Sequence, residues 1–124
     1  MKKQIQSQEE IQLMVNTFYA NVRKDELLGP IFEKQIEDRW PEHLAKMYKF
    51  WGSILLGENS YSGHPFAPHV KLPIQKEHFQ HWLEIFTSTI DELFEGEVAA
   101  EAKNRAKIMA ALFESKKAYL DKMG

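Results

Sequence analysis

Apolar residues recur at Ile11, Met14, Val15, Phe18, Tyr19 and Val22, which is i, i+3, i+4, i+7, i+8 and i+11. This is the period of an α-helix, whose faces repeat every ~3.6 residues, and not that of a strand, whose faces alternate. Ser7-x-x-Glu10 predicts a capping box at the start, and the helix runs to about Lys24. Every later long segment keeps the same period. A chain built only of such stripes buries them helix against helix, which confines it to the all-α class.

Leu27-Leu28-Gly29-Pro30-Ile31-Phe32 reads as a turn into a short apolar helix. Pro41 suits the first turn of the next helix, which runs to about Leu56 and stops at Gly57. That helix carries two adjacent stripes. Leu44, Met47, Tyr48, Trp51 and Leu55 form one, and His43, Met47, Phe50 and Ile54 the other. An apolar arc this wide faces more than one thing. A third helix, about 75–95, is expected to bury Phe79, Trp82, Leu83, Phe86, Ile90 and Leu93. Gly96 separates it from a fourth, about 97–122, with Val98, Ala102, Met109, Leu112, Phe113 and Leu120 turned inward. Residues 58–74 are rich in Gly, Ser, Pro and His and break regular structure. An irregular segment of that length in a small domain usually carries function. The expected architecture is a single domain over 1–124, with two long helix pairs on either side of that segment.

Composition narrows the function classes. With 124 residues the chain has room for one domain and a real core. The formal net charge is −2 and the pI about 6.2, so no broad basic surface invites nucleic acid. No apolar run approaches the roughly 18 residues of a membrane span, and the polar N-terminus does not resemble a signal peptide. A cytoplasmic location is expected. The absence of cysteine excludes disulfides, thiolate metal sites, cysteine nucleophiles and attachment of a cofactor through C-x-x-C-H.

The residues best suited to chemistry are His69, His43, Tyr19 and Trp82. His69 lies in a loop stiffened by Pro68 and Pro73. A neutral imidazole there is either a metal ligand oriented through its second nitrogen or a loop histidine that packs or meets solvent. His43 is a donor into a pocket or a half-exposed residue near a helix start. Tyr19 turns its hydroxyl inward or out to the surface. Trp82 is core, with an indole N–H that needs an acceptor if buried. One large ligand between His69 and these three would give all four a purpose. His78 and His81, three apart on a helix, read better as solvated surface than as a metal pair. His64 reads as exposed. No paired carboxylates, Ser/His/Asp arrangement or phosphate-cradling glycine loop is apparent.

Several segments in order resemble the truncated haemoglobins, and group III most closely. They are Phe18-Tyr19-x-x-Val22-Arg23-Lys24-Asp25, Leu28-Gly29-Pro30-Ile31-Phe32, and Trp40-x-Glu42-His43-x-x-Lys46-x-x-x-Phe50-Trp51. Leu56-Gly57, Pro68-His69-Val70-x-Leu72-Pro73 and Phe79-x-x-Trp82-Leu83-x-x-Phe86 follow. The resemblance covers nearly the whole chain. It implies a shortened globin, a 2-on-2 helical sandwich around haem b. It further implies that His69 ligates the iron and that Tyr19, His43 and Trp82 are the polar distal residues. Lys46 would reach a haem propionate, and Phe32, Met47, Phe50 and Trp51 would wall the haem. The small ligands implied are O2, NO, CO or peroxide, in a monomer or weak dimer. Three uses stay open: redox chemistry of the NO dioxygenase or peroxidase kind with an external reductase, O2 storage, scavenging or sensing without turnover, and a haem-free helical interaction protein.

Overall fold

The computed structural model describes residues 2–58 and 74–123. Five helices follow in order: α1 (Gln8–Lys24), α2 (Gly29–Ile36), α3 (Trp40–Leu56), α4 (Lys76–Leu93) and α5 (Glu97–Met123). Their limits lie close to those the periodicity predicts, because the local stop and start signals are strong. At the head of α1 the Glu10 carboxylate accepts hydrogen bonds from the Ser7 N–H at 2.9 Å and the Gln6 N–H at 3.1 Å. The bonds from Gln6 N–H and the Ser7 hydroxyl hold the Glu10 carboxyl below the usual range. At the end of α3, Gly57 takes a left-handed conformation with φ +71°, which a side chain disfavours.

The helices pair as α1 with α3 and α4 with α5, and α1 also packs across α4. This is the expected two-pair sandwich, and α2 closes the corner after α1. The whole predicted stripe of α1 is buried: Ile11, Met14, Val15, Phe18, Tyr19 and Val22. Against it lie Phe50 and Trp51 of α3 and Phe86 and Ile90 of α4. The α1–α4 crossing also carries a polar tie. Asn21 Nδ2 donates to Thr89 Oγ1 at 3.0 Å, and the Thr89 hydroxyl donates to the Ile85 carbonyl, so this fully buried threonine is satisfied.

Two expectations fail on α5. Leu112 is 48 % and Leu120 38 % exposed. The buried stripe runs through the expected Ala102 and, beside it, Ala99, Ala106 and Ala110. Leu112 stands two residues beyond Ala110, roughly 200° around the helix, and so faces away. Small side chains suit close packing of α5 on α4, and a periodicity search weighted toward large residues misses Ala99, Ala106 and Ala110. The stripe ends at Lys117, which is 7 % exposed and returns its ammonium to Asp121 at 2.7 Å.

A second feature carries no helical period. Lys3 forms an isolated parallel bridge to Phe94 just past α4, with the Glu95 N–H donating to the Lys3 carbonyl at 2.9 Å. This pins the N-terminal segment and buries Ile5.

Candidate functional site

Tyr19 lies on the buried face of α1, in its last turns, and His43 lies in the first turns of α3. The α1–α3 packing brings their rings edge to face at 5.0 Å between centroids. Trp40, three residues before His43, meets Tyr19 at 5.7 Å and His43 at 5.9 Å. Phe32 of α2 leans on Tyr19 at 6.0 Å. Phe18, next to Tyr19, meets Trp82 at 5.5 Å and Phe86 at 5.3 Å. Phe86 is in turn stacked between Trp82 and Trp51, at 5.6 and 4.9 Å. Phe50 meets Trp51 edge to face. One contiguous set of rings therefore spans α1 to α4, with polar tips among its members.

Tyr19 is 7 % exposed, and burial pushes its phenol above the ordinary range. The hydroxyl keeps its proton and stays a donor. The Nε2 of His43 is shielded from solvent. The indole Nε1 of Trp40 is shielded as well and has no hydrogen-bond partner among the described residues. A buried donor of this kind suits a polar occupant beside the rings. Met47 packs against the same core, whereas Lys46 is exposed on α3.

Of the predicted site residues, Tyr19, His43 and Phe32 come together directly. Trp82, half buried, joins them through Phe18. Phe50, Trp51 and Met47 line the adjoining α3 face. His69 and its flanking prolines lie outside the described residues, as does His64. Among the described residues no group of three His, Cys, Asp or Glu side chains could hold a metal ion, and no helix is long and apolar enough to cross a membrane.

Three residues play parts that sequence reasoning missed. Trp40 joins the cluster although it stands ahead of the apolar stripes of α3. His78, read as solvated surface, accepts the Gln75 N–H through Nδ1 at 2.9 Å and caps α4. His81 pairs through Nε2 with Asp25 Oδ1 at 2.5 Å, tying α4 to the α1–α2 corner. The other oxygen of Asp25 accepts the Leu27 and Leu28 N–H groups at 3.0 and 2.9 Å. Burial alone would raise the Asp25 carboxyl. The Leu28 N–H, the His81 hydrogen bond and charge, and the Leu27 N–H outweigh it, so the carboxyl titrates below its ordinary value. A histidine three residues after a helix N-cap is a signal that could have found His78. No local signal could have paired His81 with Asp25.

Known proteins share this architecture. The model of the bacterial-like globin family matches residues 3–118. The group 3 truncated haemoglobin Ctb of Campylobacter jejuni is 37 % identical over 119 residues, covering 93 % of this chain and 94 % of that one. The group 2 truncated haemoglobin YjbI of Bacillus subtilis is 31 % identical over 103 residues, 78 % of this chain and 75 % of that one. The crystal structure of the group III truncated haemoglobin from Campylobacter jejuni superposes with a TM-score of 0.85, covering 94 % of each chain at 37 % identity. The agreement runs through sequence and helix arrangement over almost the full length, and the chain belongs to the bacterial-like globin family, as a truncated haemoglobin of group III.

Proposed function

We propose that the chain binds haem b with His69 as the protein ligand of the iron, and that Tyr19, His43 and Trp82 form the polar pocket for O2 or another diatomic ligand. One observation carries this reading. In a globin fold, a buried phenol, a shielded imidazole and an indole are drawn from α1, α3 and α4 into one ring cluster. Bound there, haem would supply an iron centre able to take up small gases.

The chain's own residues do the rest. Phe32, Met47, Phe50 and Trp51 would pack the haem and exclude water, which strengthens every polar contact inside. Lys46, exposed three residues beyond His43, would hold a propionate at the solvent edge. Tyr19 donates a hydrogen bond at any physiological pH because burial keeps its proton on. The Trp82 indole N–H is a second donor and His43 a third. These donors would favour a bound O2, a good hydrogen-bond acceptor there, over CO, which would accept such bonds far less. Each neutral bond is worth about 0.5–1.5 kcal/mol net, so two or three slow O2 release roughly 10- to 1,000-fold. Slow release suits redox chemistry on O2, NO or peroxide better than delivery, with electrons supplied by a reductase in the cytoplasm.

The test is the optical spectrum of the chain with hemin, reduced, then exposed to CO, beside His69→Ala. A sharp Soret band that shifts with CO and is altered or lost in the variant is the expected result. No band in either protein would refute haem binding. Sustained NO or peroxide consumption with an added reductase then separates redox use from storage.

A further inference from the structure

We propose that Trp40 is a fourth polar member of this pocket, its Nε1–H donating a hydrogen bond to the small polar ligand, or the water standing in for it, beside Tyr19 and His43. The inference rests on the haem reading above and adds a binding residue to it.

Trp40 is 7 % exposed, yet its indole donor is sealed from solvent with no acceptor among the described residues. A phenylalanine would supply the same ring without that liability, since a buried donor left unsatisfied is unfavourable. The ring itself is fixed on several sides. Tyr19 and His43 meet it edge to face. The Arg23 guanidinium lies 4.5 Å from its centroid, and Arg23 is itself paired with Glu33. A cation over an indole is attractive and restricts its tilt. The donor is thus held rigidly, in direct ring contact with two residues that supply polar tips to the pocket. Its missing acceptor is accounted for by an occupant of that pocket.

Trp40→Phe deletes the donor and leaves a smaller aromatic ring at the position. Two measurements test it. The first is melting of the haem-free protein and of the protein loaded with hemin, reduced with dithionite, freed of excess reductant and then exposed to CO or O2. The haem-free variant is expected to lose less than the ligand-loaded one, because removal of an orphaned donor offsets part of the lost ring volume. The second is the C–O stretching frequency of the CO form, with O2 release by stopped flow. The stretch should move upward as a donor is lost, and O2 should leave about 2- to 10-fold faster, the worth of one neutral hydrogen bond. Trp40→His, which restores a ring N–H, should return the stretch toward the parent value. An unmoved C–O band and unchanged O2 release in Trp40→Phe would overturn the proposal, as would a haem-free variant destabilised as much as the loaded one. A parent protein without a Soret band would instead overturn the haem reading itself.

Discussion

Replacing Asp25 by alanine removes three interactions at the corner where α1 hands over to α2. Oδ2 holds the Leu27 and Leu28 amides, and Oδ1 holds His81 of α4. Loss of such a cap costs about 0.5–2 kcal/mol. The His81 pair is partly open to solvent, with side chains 38 % and 16 % exposed, so screening reduces it to about 0.5–1 kcal/mol. Together these give a loss of about 2 kcal/mol. For a domain of this size that lowers Tm by roughly 8 °C. The pH dependence has a definite sign. The Asp25 carboxyl is depressed below its model value of 3.8 in the folded state. Its contribution is therefore fully present above that value and lost as pH falls through the lower, folded one. Thermal melts of parent and variant should converge as the medium is made more acid than the ordinary carboxylate range, below about pH 4. A Tm loss below about 2 °C at pH 7, or a gap that persists undiminished well below about pH 4, would refute the reasoning.

Three further outcomes are expected. Tyr19→Phe and Trp82→Phe each remove one donor and should each speed O2 release about 2- to 10-fold by stopped flow; unchanged rates in both would sink their assignment as donors. Phe86→Leu nearly conserves volume but breaks ring contacts to Phe18, Trp51 and Trp82, and urea unfolding should show a loss of about 2–3 kcal/mol, whereas a loss below 1 kcal/mol would mean these contacts carry little. Gly29→Ala would place a Cβ 2.8 Å from the Arg23 carbonyl oxygen and should cost about 1–3 kcal/mol; Gly57→Ala meets nothing among the described residues and costs its left-handed backbone, about 1 kcal/mol, so equal or reversed midpoints would contradict the close approach of α2 to α1.

Much of the fold was legible because helix formation is local. The Ser7–Glu10 cap, Pro41 and Gly57 mark boundaries through bonds that close within a turn or two, and the stripe of α1 shows its buried face directly. The candidate site was legible in part. Tyr19, His43 and Trp82 were recognisable as polar tips on apolar faces, and the order of segments pointed to the globin arrangement. Leu112 and Leu120 misled because a large apolar side chain near a stripe looks inward until the neighbouring helix shows which face it takes. The alanine stripe of α5 is weak in the sequence for the same reason: its value lies in the close approach it permits.

The sequence by itself determined the number, limits and inward faces of most helices, the all-α class and the family, since these follow from period, caps and ordered segments. Only the tertiary structure decided that Trp40 stands in ring contact with Tyr19 and His43, that Arg23 covers it, and that His81 crosses to Asp25. Each of these depends on how two helices are placed against each other. That placement is set by the sum of many small packing contacts across the core, and no local signal encodes it.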